Sequence, residues 1–126
     1  MWRRILAGVL ALLNGVNGLV MLGAPSAWFA HVPGAADTGP FNAHLVEDVG
    51  LAFLIAALGI AAFAWRTRFW PAALAGSGFL GLHALMHVWG IAQGLSHTAA
   101  IDLAGIVAPA ALALLVSWPR KGEIRA

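Results

Sequence analysis

Four long apolar segments occupy most of this 126-residue chain. They cover about residues 5–23, 41–64, 71–93 and 99–118. Each is close to the roughly 20 residues that an α-helix needs to cross about 30 Å of hydrocarbon. Hydrophobic residues make up 61% of the chain and charged residues 10%, whereas soluble domains have roughly 45–50% and 25%. The pattern predicts an all-α protein, a single domain over residues 1–126 built as a bundle of four transmembrane helices.

The first segment has a second possible interpretation. Arg3 and Arg4 precede it and the small residues of Ala24–Ala27 follow it, as in a secretory signal with its cleavage site. We expect the segment to be retained as a helix.

The positively charged residues predict the orientation of the bundle. They lie before the first segment, between the second and third, and after the fourth: Arg3, Arg4, Arg66, Arg68, Arg120, Lys121 and Arg125. Because cytoplasmic loops of membrane proteins are enriched in Lys and Arg, both termini are predicted to be cytoplasmic. Residues Ala24–Pro40 then form a long first outer loop, which we expect to lie on the membrane as a lid. We expect these charges to be topology signals and not a surface for nucleic acid.

Two pairs of polar residues interrupt the apolar segments at helical spacing. His44 and Asp48 lie in the second segment, and His83 and His87 lie in the third. A step of four residues returns to the same face of a helix, so the two side chains of each pair can converge on one ion. Inserting a charged residue into a membrane helix costs about 2.5–3.5 kcal/mol on insertion scales. Because of this cost, such residues usually have a functional role, which is our first interpretation of these pairs.

The depths of these residues favour one shared site. Counting from the outer end of each segment gives about 5 Å for His44 and Asp102, about 10 Å for Asp48 and His87, and about 15 Å for His83. All five therefore fall in the outer half of the bundle, and we predict that they are metal ligands. Asp102 is either a fifth ligand or the acceptor that fixes a histidine tautomer.

The ligand types restrict which metals fit. The chain has no cysteine, so a metal must be held by nitrogen and oxygen atoms. Imidazole with carboxylate suits divalent transition metals such as zinc, copper or iron. Haem b, held by His44 with His83 or His87, is less favoured, because no Arg or Lys lies on the outer side to bind its propionates. A metal-free network that serves a proton or a substrate, and hydrogen bonds that only join helices, are the remaining alternatives.

Three runs of the sequence resemble a known group of membrane proteins. They are Gly39–Gly50, which contains the sequence GPFNAHLVEDVG, then Leu82–His87 and Asp102–Gly105. They resemble small bacterial four-helix membrane proteins, broadly the DoxX-like group, over the last three segments. The resemblance implies the four-helix fold and a bacterial inner-membrane location, and it implies no activity.

The function that these observations favour is metal binding in the inner membrane, for metal handling or for a metal-dependent reaction. Whether the protein is an enzyme stays open at this point. One alternative is an accessory subunit, which would pack on itself or on a larger membrane complex through faces rich in small residues. Another is a proton-coupled carrier that uses Asp48 and Asp102 and works as an oligomer.

Overall fold

Four membrane-length helical spans make up most of the protein. A computed structural model describes residues 1–124. The first three spans contain helices α1 (Trp2–Gly23), α3 (Ala43–Trp65) and α4 (Trp70–Ala92). The fourth span, Ala99–Ser117, consists of α5 (Ala99–Asp102), a π-helical segment (Leu103–Val107) and α6 (Ala108–Ser117). A short helix α2 (Pro25–His31) follows α1, and 3₁₀ turns lie at Ala35–Thr38 and Thr67–Phe69. No β-strand occurs within residues 1–124.

The spans form a closed ring of neighbours. Helix α1 packs on α3, α3 on α4, α4 on α6, and α1 also contacts α6. We call the end of the bundle that carries α2 the α2 end, and the end that carries both chain termini the terminal end. Small side chains, among them Ala7, Ala56, Ala73 and Ala113, form much of the core around Ile60 and Phe63.

The outward faces of the spans are apolar. Leu12, Ile55, Leu58 and Leu115 are each more than half exposed, together with other large apolar side chains on the same faces. Such a surface is unfavourable in water and suits lipid, in which helices satisfy their own backbone hydrogen bonds. The chain is therefore a multi-pass membrane protein with a helical-bundle fold.

Several helix ends lie where the sequence places its breakers and caps. Asn42 caps α3, because its side-chain oxygen accepts a hydrogen bond of 3.2 Å from the Leu45 amide. Pro71 lies in the first turn of α4, where a missing amide proton costs nothing. Helix α6 ends at Ser117, and Trp118 is extended, as expected for the residue before Pro119.

Arg3 joins the helix ends at the terminal end of the bundle. Only 6% of its surface is exposed. Its guanidinium donates hydrogen bonds to the carbonyls of Val116 and Trp118 and pairs with Glu123 at 2.9 Å. Arg4 donates in the same way to the last carbonyls of α3. These two arginines therefore serve the helix ends as well as marking a side of the membrane. Arg125, which belongs to the same predicted basic set, lies outside the described residues.

The segment between α1 and α3 is more ordered than a series of turns. The sequence predicts a loop over Ala24–Pro40, but Pro25 starts the two-turn helix α2, in which Trp28 lies. The Trp28 indole N–H donates a 2.9 Å hydrogen bond to the Asn17 side chain on α1. This bond fixes α2 against the bundle.

Candidate functional site

A large cavity lies between the spans at the α2 end. Its volume is ≈ 1260 Å³. All four spans, α2 and both connecting segments of this end contribute to its lining. The innermost wall is apolar and includes Phe53, Leu80 and Ala110, whereas His83, His87 and Asp102 bring polar groups to it.

His83 and His87 lie one above the other on α4 and face this cavity. Their rings are 4.9 Å apart between centroids, as the four-residue spacing predicts. The His83 ring also contacts two aromatic rings, Phe53 at 5.6 Å and Phe79 at 6.1 Å between centroids. Aromatic packing therefore holds His83 in place and leaves His87 as the histidine nearer the other polar groups.

Asp102 is the most buried carboxylate of the site, with 4% of its surface exposed. Ser96 and Thr98 donate their hydroxyl hydrogens to its two oxygens, at 2.7 and 3.2 Å. His87 Nδ1 is 3.6 Å from Asp102 Oδ2, which is ion-pair range but longer than a hydrogen bond. The hydroxyls fix the carboxylate, because each holds one oxygen, and they orient it beside His87.

Ser96 and Thr98 are partners of Asp102 that the sequence did not predict. Thr98 is the residue before α5, and Asp102 lies four residues later. A hydroxyl residue at the start of a helix commonly bonds to a group within the first turn. That local signal points to Thr98 as a partner of Asp102, whereas the Ser96 contact depends on the fold of the connection.

The backbone directly after Asp102 departs from an α-helix. Over Leu103–Val107 the helix widens, and the Ala108 amide donates to the Leu103 carbonyl, five residues earlier. Pro109 follows at once and has no amide proton for the carbonyl of Gly105, its partner in a regular helix. Such π-helical turns are rare and frequently occur at functional sites. Gly105 itself lines the cavity.

His44 and Asp48 do not join this group. Their side chains are 85% and 57% exposed, and their closest polar atoms are 3.6 Å apart. They lie on the same outward stripe of α3 as the exposed residues Leu51, Ile55 and Leu58. The cavity wall is formed by other positions of α3, such as Val49 and Phe53. The spacing of four residues puts both side chains on one face, and that face is turned away from the cavity.

The predicted metal site is therefore divided between two places. His83, His87 and Asp102 lie at the cavity, and His44 and Asp48 lie on the outer surface of α3. Within residues 1–124, no group of three or more His, Cys, Asp or Glu side chains is arranged to hold a metal ion. Metal and haem binding stay predictions, and the cavity is the site whose geometry the structure gives.

The fold and the cavity define the class of this protein as a multi-pass, all-helical membrane protein with a pocket inside its bundle. No protein-family model, curated protein or solved structure matches the chain. The cavity and its side chains are therefore the features from which a function can be inferred.

Proposed function

We propose that this protein binds a small lipophilic molecule in the cavity at the α2 end. The observation that carries the proposal is the cavity itself, ≈ 1260 Å³ within a four-helix bundle. Ligand pockets are typically about 300–1,000 Å³, are mostly apolar, and contain a few placed polar groups. This cavity is somewhat larger and has the same composition.

The two kinds of lining serve two parts of such a ligand. Apolar walls, to which Phe53, Leu80 and Ala110 contribute, accept hydrocarbon or an aromatic ring. Asp102, oriented by Ser96 and Thr98, and the neighbouring His87 offer polar groups at one wall. Pre-oriented polar groups reduce the cost of ordering on binding, so they favour a ligand that carries one polar group.

The position of the cavity favours ligands that partition into lipid or reach the outer face. The described basic residues lie at the terminal end, so we place that end in the cytoplasm and the α2 end on the opposite side of the membrane. In a bacterial inner membrane, this orientation turns the cavity towards the periplasm. Both the orientation and the bacterial location are parts of the proposal.

The experiment fills the cavity with a side chain. Gly90 on α4 lines the cavity, and a Cβ atom there has no neighbour within 4 Å. Gly90→Phe should therefore occupy the site without disturbing the packing of the helices. The probe is a neutral hydrocarbon diazirine, crosslinked to the protein in lipid nanodiscs. Labelling of cavity-lining side chains, relative to lipid-facing Leu51, should fall in Gly90→Phe.

Gly78→Phe is the matched control. Gly78 lies on the same helix, also has no neighbour within 4 Å of an added Cβ, and is not part of the cavity lining. This variant should keep the wild-type labelling. Equal labelling of the cavity in both variants and in the wild-type protein would contradict ligand access to the cavity.

Metal binding is a second proposal, favoured by the adjacency of three predicted ligands. His83, His87 and Asp102 share one region of the cavity, although their present arrangement is not a formed site. Elemental analysis of protein purified without a metal-binding tag tests it. A near-stoichiometric transition metal that is lost in His87→Ala and kept in His44→Ala is the expected result. Metal-free protein from native membranes would contradict it.

A further inference from the structure

Apart from its histidines, the ionisable side chains that line the cavity are acidic. The residues of the described chain that line it include two carboxylates, Asp37 and Asp102, and no Lys or Arg. Four of the five acidic residues of the whole chain lie in this half of the bundle: Asp37, Glu47, Asp48 and Asp102. The Lys and Arg residues within residues 1–124 all belong to the terminal end. A ligand in the cavity is thus close to carboxylates and far from the described Lys and Arg residues.

Asp102 is the charge with the strongest effect on a ligand. Ser96 and Thr98 donate hydrogen bonds to it but carry no charge, and no Lys or Arg of the described residues is paired with it. A carboxylate has about four acceptor sites, of which these hydroxyls use two. Because its surroundings are largely apolar, screening by water is weak and its field extends into the cavity.

Aromatic side chains add a second attraction of the same kind. Trp28, Phe29, Phe41 and Phe53 line the cavity. Phe29 and Phe41 are in contact with each other, with ring centroids 5.3 Å apart. The face of an aromatic ring carries partial negative charge and attracts cations, most strongly where water is excluded. Carboxylates and aromatic faces together favour one class of ligand, an organic cation with a large apolar surface.

We propose that the cavity selects lipophilic organic cations, such as quaternary ammonium or phosphonium compounds. This inference rests on the proposed function, because it specifies the ligand of the same cavity. A neutral lipid would gain nothing from Asp102, and an anion of the same size would be repelled.

The experiment compares two ions of the same shape and opposite charge. Tetraphenylphosphonium and tetraphenylborate each present four phenyl rings around a central atom. Their binding is measured by equilibrium dialysis against protein in phosphatidylcholine nanodiscs, with empty nanodiscs subtracted, at pH 8, where histidine ordinarily carries little charge. The phosphonium ion should bind at least about tenfold more tightly than the borate.

Substitutions that change only charge identify the source of the preference. Asp102→Asn keeps the shape of the side chain and an oxygen acceptor, and should weaken phosphonium binding about tenfold while leaving borate binding equal or stronger. Asp37→Asn, on an exposed connection, should weaken it less and does not affect the packed bundle. Asp48→Asn is the matched control, because Asp48 faces outward, and should bind like the wild-type protein.

The outcomes separate this inference from the proposal on which it rests. If Gly90→Phe lowers diazirine labelling but the two ions bind equally, the cavity binds ligands and the proposal that it selects cations is wrong. The same conclusion follows if Asp102→Asn and Asp37→Asn both keep full phosphonium affinity. If neither ion binds and Gly90→Phe leaves labelling unchanged, the ligand-binding function itself is wrong.

Discussion

Arg3 and Asp102 are both charged residues within packed parts of the bundle, and the chain satisfies them differently. Arg3 reaches two carbonyls at the end of α6 and the carboxylate of Glu123. These contacts use the negative end of a helix dipole as well as an ion pair. Asp102 has hydroxyl donors and a nearby imidazole in place of a cationic partner. The first arrangement cancels charge and serves stability, whereas the second leaves Asp102 without a Lys or Arg partner among the described residues, as the proposed cation selectivity requires.

Replacing Arg3 should therefore destabilise the protein. Arg3→Gln removes several charge-assisted hydrogen bonds and leaves carbonyls and Glu123 without their partner. We expect a loss of roughly 2–4 kcal/mol of unfolding free energy. Thermal unfolding in detergent, followed by tryptophan fluorescence, measures the effect. Arg4→Gln is the comparison, because Arg4 is exposed, and it should lower the midpoint less. An equal loss in the two variants would contradict a special role for Arg3.

At the scale of helices, α3 and α4 approach each other more closely than most side chains would allow. A Cβ atom added at Gly76 on α4 would lie 2.7 Å from the Ala56 carbonyl oxygen on α3. At Gly59 on α3, an added Cβ would collide with the Ala72 carbonyl of α4. Backbone cannot move aside as a flexible side chain can, so both positions require glycine. Close helix contact of this kind is a main source of association in membranes.

Two glycines on α4 give a direct test of this packing. Gly76→Ala forces the helices apart and should cost about 1–3 kcal/mol of unfolding free energy. Gly78→Ala adds a methyl group where no atom lies within 4 Å, and better helix propensity should make it neutral or stabilising by up to about 1 kcal/mol. Thermal midpoints in the same detergent compare the two. If Gly76→Ala is as stable as Gly78→Ala, the helices do not pack as closely as described.

The rotation of α3 separates the two predicted halves of the metal site. Val46, Gly50 and Ile60 are buried in the bundle, so the opposite side of the helix is turned outward. His44 and Asp48 fall on that outward side, near the α2 end. Placing such groups against lipid is unfavourable. If the protein is an accessory subunit, the face of α3 that carries His44 and Asp48 is therefore the surface on which a partner would pack.

Assembly into homo-oligomers or larger complexes remains a prediction, and so does proton coupling through Asp48 and Asp102.

For the molecule as a whole, the uneven distribution of charge determines the expected orientation. The terminal end holds the described basic residues and, among the acidic ones, Glu123, which Arg3 neutralises. The α2 end holds the cavity and the remaining acids. A cavity that selects cations would thus take them from the outer face or the outer leaflet. The positive-inside rule places the α2 end on that outer side.

The orientation is testable because the natural chain has no cysteine. Single cysteines at Ala36 and Gly122 place one thiol at each end, and both positions are exposed. A thiol reagent that cannot cross membranes should label Ala36→Cys on intact cells. It should label Gly122→Cys only after the membrane is opened. The reverse pattern would place both termini outside and would overturn the proposed orientation.

The sequence by itself determined the spans, the helix breakers and the placement of charged residues along the chain. Length and hydropathy are sufficient for this, because a helix in lipid must satisfy its own backbone and present apolar side chains. The caps and stops at Asn42, Pro71 and Pro119 were predictable for the same reason, since their effect is local. The contact between the His83 and His87 rings also followed from spacing alone.

Only the tertiary structure decided which polar residues share a site. Spacing shows that His44 and Asp48 lie on one face of a helix, but the rotation of that helix depends on its neighbours, here the close approach at Gly76. Lipid and core are both apolar, so hydrophobicity does not tell the inward face of a membrane helix from the outward one. The pairing of Asp102 with Ser96 likewise depends on how the connecting segment folds. The cavity is a product of this packing.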